Sequence, residues 1–151
     1  MVLTDRHLRE LASFSRTFHT DIPAEHLDPK VLEMHTANDL WATVQLVRDK
    51  AHHLDLEMRR KLDQMVPGTQ HIPLAGSGVQ HFDRDFIVRD WPLFNQRLTY
   101  WSLDIGVVRR FSELAGVLYA YEGDRRHRAL PDAYSALEQA RHYVQVLGRE
   151  P

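Results

Sequence analysis

The chain has 151 residues, 43% hydrophobic and 26% charged, a composition that suits one globular domain with one core. It contains no cysteine, which excludes disulfide scaffolds and thiolate metal sites, and its formal net charge of −2 argues against a protein that coats duplex DNA. No apolar run approaches the roughly 18 residues that span a bilayer, and the N-terminal MVLTDRHLRE carries no apolar signal core, so a cytoplasmic protein with no membrane partner is expected.

In chain order, Val2-Leu3-Thr4 is a short β-like run closed by Asp5. Residues 11–18 alternate, with Ala12, Phe14, Arg16 and Phe18 on one side, and period 2 predicts a half-buried strand. Asp28-Pro29 reads as a helix start, with Asp at the N-cap and Pro at the first helical position. A second helix begins near Asn38 and carries Leu40, Val44 and Val47 on one side. Residues 53–66 place Leu54, Met58, Leu62 and Met65 on one helical stripe, and Pro67-Gly68 stops it. Residues 72–75 form a short apolar run that enters the turn Gly76-Ser77-Gly78 as a buried strand. A helix over 79–89, a strand over 100–105, a helix over 107–120 and a final helix over 131–147 complete the reading, with Gly148 as the last stop. Strands that alternate with helices predict an α/β domain with some parallel pairing, in a sheet of about four strands.

Two local patterns carry chemistry. His127 and Asp132 stand five apart where a basic loop meets a helix. The Asp falls in the first turn, where its charge suits the helix dipole, and the His precedes it on the loop. Such a pair can hold a cation and supply a base; alone, it is also the pattern of an ordinary helix cap. The second is HFDRDFI, residues 81–87, where Asp83 opens a helix after a strand and a Gly-rich turn. Phe82 and Phe86, four apart, are expected to anchor that turn to the core, leaving Asp83 facing the strand ends, where ligands gather in open α/β sheets, with Asp85 as its solvated neighbour. The ten His residues form no other evident ligand set.

Four segments in order resemble one family. HRALPDAYSALEQARHY is similar to the last motif of the DEDDh 3′→5′ exonucleases (the RNase T and oligoribonuclease-like group), and LAGSGVQHFDRDFIVRDWP to their second motif. LTYWSLDIGVVRR, with Asp104, resembles the strand and helix between those motifs, and DPKVLEMHTANDL resembles the oligoribonuclease segment that carries Met-His-Thr. The resemblance implies an RNase H-like fold, a mixed β-sheet flanked by helices. It implies hydrolysis of short single-stranded RNA or DNA to 5′-mononucleotides with two divalent cations, Mg²⁺ or Mn²⁺. Carboxylates suit hard cations, and two such cations stabilise the attacking and leaving oxygens of an in-line displacement. By this resemblance Asp83 and Asp132 are metal ligands, His127 is the general base, and Met34 and His35 contact the substrate; a homodimer is a further expectation.

The family's first motif, an Asp-x-Glu on the first strand, is not found in its place. The expectation is therefore a single exonuclease-like domain over 1–151, incomplete at its N-terminus and missing its first strand. Asp55-Leu56-Glu57-Met58 spells that motif but sits in a helical pattern, where positions i and i+2 point about 160° apart; it reads as a solvated helix face. Two outcomes stay open: an active exonuclease with one or two metals, or an inactive remnant that binds nucleic acid or a protein. A third pattern, Arg48 to His53, fits the Arg-x4-His of helical HEPN ribonucleases, which would require an all-helical bundle.

Overall fold

The computed structural model describes residues 1–117 and 128–148. Its elements are β1 (Val2–Thr4), β2 (Glu10–Ser13), α1 (Pro29–Ala37), α2 (Leu40–Leu46), α3 (Asp55–Met65), β3 (Ile72–Gly76), α4 (Asp83–Asp90), α5 (Pro92–Asn95), β4 (Leu98–Asp104), α6 (Ile105–Leu114) and α7 (Ala129–Leu147). The fold is mixed α/β, and its antiparallel and parallel strand pairs flanked by helices are consistent with an RNase H-like architecture. These strands rule out the all-helical bundle that the Arg48–His53 pattern would need.

The four strands form two separate pairs rather than the one small sheet expected. β1 and β2 are antiparallel, with Val2 opposite Ser13 and Leu3 opposite Ala12. Their turn is held by the Asp5 carboxylate, which accepts from the His7 N–H at 2.8 Å and the Arg9 N–H at 3.0 Å. The Arg9 backbone N–H is the chief cause that holds the Asp5 carboxyl at about 2, below its ordinary 3.8. β3 and β4 are parallel, with Ile72 opposite Leu98 and Gly76 opposite Asp104. Among the described residues, β1 and β3 therefore each keep one edge without a strand partner.

The strand expected over 11–18 ends at Ser13, because only Glu10–Ser13 finds a partner in the three-residue β1. The face was nevertheless the expected one: Phe14 and Phe18 pack on the core. That core gathers Leu54, Met58 and Leu62 of α3, Ile87 of α4, Phe94 of α5 and Leu98 of β4, with Leu3, Ile72 and Leu74 against it. Both strand pairs thus share one hydrophobic core. Arg97, only 4% exposed, locks the end of α3 to the start of β4 by donating to the Val66 carbonyl at 2.7 Å and the Gln70 carbonyl, and by pairing with Asp63. α1 starts as its sequence predicts: the Asp28 carboxylate accepts from the Lys30 N–H at 2.8 Å, and Pro29 is the first helical residue.

Candidate functional site

The parallel pair β3–β4 ends side by side at Gly76 and Asp104. The chain after β3 turns through Gly78, whose φ of +75° is natural to glycine. The Gly78 carbonyl accepts from the His81 N–H at 3.2 Å and the Phe82 N–H at 3.1 Å. These bonds use the backbone of 79–82 as a turn, so α4 begins at Asp83 and not at 79 as the pattern suggested.

The later start changes which face is buried. Ile87 is the buried residue of α4, whereas Phe82 and Phe86 are 65% and 46% exposed, correcting the expectation that they anchor the turn. Their rings meet edge to face at 5.2 Å, and the Arg89 guanidinium lies 4.8 Å from the Phe86 ring. Asp83 is the first residue of α4 and is exposed at the surface. Partial burial raises its carboxyl pKa above the ordinary carboxylate value, opposed by a smaller effect of its own backbone N–H. Asp85 is exposed, as expected.

Asp132 lies in the first turn of α7, exposed, with its N–H donated to the Arg128 carbonyl at 3.0 Å. α7 begins at Ala129, two residues before Pro131, whose missing N–H costs nothing in a first helical turn. Arg128 donates to the Asn38 carbonyl at 3.3 Å, which fastens this end of α7 to the end of α1. α1 carries the half-buried Met34 and His35, and the His35 Nδ1 is enclosed without a hydrogen-bond partner. The structure thus brings the Asp132 turn beside the helix that bears two of the expected contact residues. His127 lies outside the described residues.

Asp83 and Asp132 also share an electrostatic property. Neither carboxylate makes a hydrogen bond or ion pair to another described residue, in contrast to Asp5, Asp28 and Asp104, which accept backbone N–H groups, and to Asp21, Glu57, Asp63 and Asp90, which face cations. Among the described residues, however, no three His, Asp or Glu side chains gather as a cation-sized group.

The Asp55-Leu56-Glu57 run serves the frame. Asp55 is 6% exposed, and its two carboxylate oxygens accept from the Leu93 and Phe94 N–H groups at 2.9 Å each, capping α5. Glu57 points elsewhere, to Lys61 at 2.7 Å. The divergence of the two carboxylates was expected; the deep burial of Asp55 corrects the reading of a solvated face. Sequence reasoning also gave Asp104 no role beyond its place in a family segment. Its position just before a helix is an N-cap signal, but its second set of partners is 26 residues away.

No family model matches this chain. Three curated oligoribonucleases align with 95% of it. It is 29% identical to that of Neisseria meningitidis serogroup B and 27% identical to that of serogroup C, spanning 78% of each. Against that of Neisseria gonorrhoeae the identity is 27%, over 82% of the relative. The chain is therefore distantly related to oligoribonucleases over almost all of its length. No helix among the described residues is long and apolar enough to cross a membrane.

Proposed function

We propose that this chain is an exonuclease module of the DEDDh type that works on the 3′ ends of short single-stranded RNA or DNA, with Asp83 and Asp132 as metal ligands and His127 as the general base. The observation that carries this reading is the collinear similarity to oligoribonucleases over 95% of the chain. That the carboxylates of Asp83 and Asp132 bond no other described residue is compatible with it, because a carboxylate already bonded to the protein frame has little left to offer a cation. Divalent cations, when bound, polarise the scissile phosphate and lower the pKa of water. Mg²⁺ takes one or two carboxylates and fills its other positions with water and substrate phosphate, so Asp83 and Asp132 fit in kind even though no three ligands gather among the described residues. Imidazole titrates near neutral pH, which suits His127 to accept a proton from water. Met34 and His35 on α1, both half-buried, would contact the terminal nucleotides.

A homodimer belongs to the same reading. α6 leaves Val107, Phe111 and Leu114 exposed on one stripe, by 59%, 67% and 89%, for a second copy to cover. Sedimentation at micromolar concentration that returned only the 17.7 kDa chain would remove that part of the proposal.

The second reading is a binding module without turnover. It is favoured by the commitment of the Asp-x-Glu run at 55–57 to the frame, with Asp55 capping α5 and Glu57 paired to Lys61. The deciding experiment is cleavage of a 5′-labelled five-nucleotide RNA and its DNA equivalent, with Mn²⁺, with chelator, and with Asp132→Ala alongside. A ladder that shortens from the 3′ end, lost in chelator and in the variant, is expected. A folded chain that binds the oligonucleotide without cutting it would establish the second reading.

A further inference from the structure

We infer that Asp104 is a positioning residue that sets where Asp83 stands, through a clamp built with Gly78, Ser77 and Gly106; the inference rests on the reading of Asp83 as a metal ligand. Asp104 closes β4 and caps α6, its Oδ1 accepting from the Gly106 N–H at 2.9 Å and the Val107 N–H at 3.2 Å. A cap needs no more than that. The same carboxylate also accepts from the Gly78 N–H, at 3.1 Å on Oδ2 and 3.2 Å on Oδ1, reaching across from the end of one parallel strand to the turn that leaves the other.

Gly78 is thereby held on both sides of its backbone. Its N–H goes to Asp104, and its carbonyl takes the N–H groups of His81 and Phe82, the two residues before Asp83. The turn also lies close to the start of α6. A Cβ added to Gly106 would lie 2.8 Å from the Ser77 Oγ and 3.1 Å from the Asp104 Oδ1, but 3.8 Å from the Ser77 Cβ. The start of α6 therefore lies close against the Ser77 side chain, and Asp104 ties the turn to it. Groups that orient a metal ligand from behind affect affinity without touching the ion.

The test uses the whole chain and two readouts: Mn²⁺ binding by calorimetry, and hydrogen exchange at the His81 and Phe82 amides. Asp104→Asn is expected to weaken Mn²⁺ binding about tenfold or more and to speed exchange at both amides. Gly106→Ala, a change that favours a helix by itself, should do the same, and Ser77→Ala added to it should restore both readouts by removing the clashing oxygen. Asp55→Asn serves as the control for general loosening, because it weakens another carboxylate cap without contacting the turn. Equal effects of Asp55→Asn and Asp104→Asn at the two amides would overturn the inference. So would wild-type Mn²⁺ affinity in Asp104→Asn and Gly106→Ala. If the wild-type chain binds no Mn²⁺ while the two amides still respond to Asp104 alone, Asp83 is no metal ligand, and the clamp stands as the device that sets the turn.

Discussion

Replacing Asp55 with alanine would remove the one carboxylate that accepts the Leu93 and Phe94 N–H groups. The residue is 6% exposed and Phe94 is 1% exposed, so solvent has little access to take over the Phe94 bond, and less than full access to that of Leu93, which is 38% exposed. Each buried donor left without an acceptor costs about 1–3 kcal/mol. Loss of a negative charge from the first turn of α3 adds about 0.3–1 kcal/mol. The expected loss for Asp55→Ala is thus about 2–7 kcal/mol, a large share of the stability of an ordinary domain. Asp55→Asn keeps one acceptor oxygen, and its expected loss is about 1–2 kcal/mol. Urea unfolding followed by tryptophan fluorescence reads both values, provided the slope m stays that of the wild type. A loss under about 1 kcal/mol for Asp55→Ala would refute the reasoning, since it is the value of an ordinary surface position. The same variants decide the Asp-Leu-Glu question. Folded Asp55→Asn should retain any Mn²⁺-dependent cleavage, and its specific loss would return that run to the candidate site.

Two further outcomes are expected. The Asp5 carboxyl has its folded pKa depressed to about 2 from 3.8, so its contribution to stability is complete above the higher value and fades as pH falls through the lower. The stability difference between wild type and Asp5→Asn should therefore shrink between about pH 4 and pH 2 in matched urea titrations, and a constant difference would show that the turn bonds do not control that titration. In the cleavage assay, Asp83→Ala and Asp132→Ala should each abolish metal-dependent activity, whereas His127→Ala should slow it by about 10²–10⁴-fold and leave Mn²⁺ binding intact; wild-type rates in all three would remove the site assignment.

Elements with a local physical cause were readable from the sequence. Asp28-Pro29 contains its own cap, and the Leu54, Met58 and Leu62 stripe contains its own period. What depended on a distant partner was not. The alternation over 11–18 marks a face correctly, but strand pairing stops where β1 runs out. The helix expected over 107–120 starts at Ile105, because Asp104 caps it there, and it ends at Leu114. At that end Gly116 takes a φ of +78° and the Val117 N–H returns to the Ser112 carbonyl at 2.8 Å, a closure that apolar periodicity does not reveal. α4 was drawn too early for the same kind of reason, since the bonds that turn 79–82 belong to the Gly78 carbonyl. At the site, Asp83 and Asp132 could be named only because several motifs stood in register, and nothing in the composition around Asp104 announces a bond to Gly78.

The acidic residues of the described chain divide by what they are already doing. Asp28, Asp55 and Asp104 satisfy backbone donors at helix starts, the structural role to which their sequence contexts are suited. Asp83 and Asp132 also stand in first helical turns, yet their carboxylates bond no other described residue, and partial burial makes the charge on Asp83 harder to hold. A carboxylate that is partly desolvated and unpaired has most to gain from a cation, because an opposite charge offsets the cost that burial imposes on its ionised form. The folded frame thus separates carboxylates that are already used from those that remain available, Asp83 and Asp132 among them, a distinction that motif spacing alone could not draw. It also accounts for the decoy: the Asp-Leu-Glu run has the right letters, but its aspartate is already committed to the start of α5.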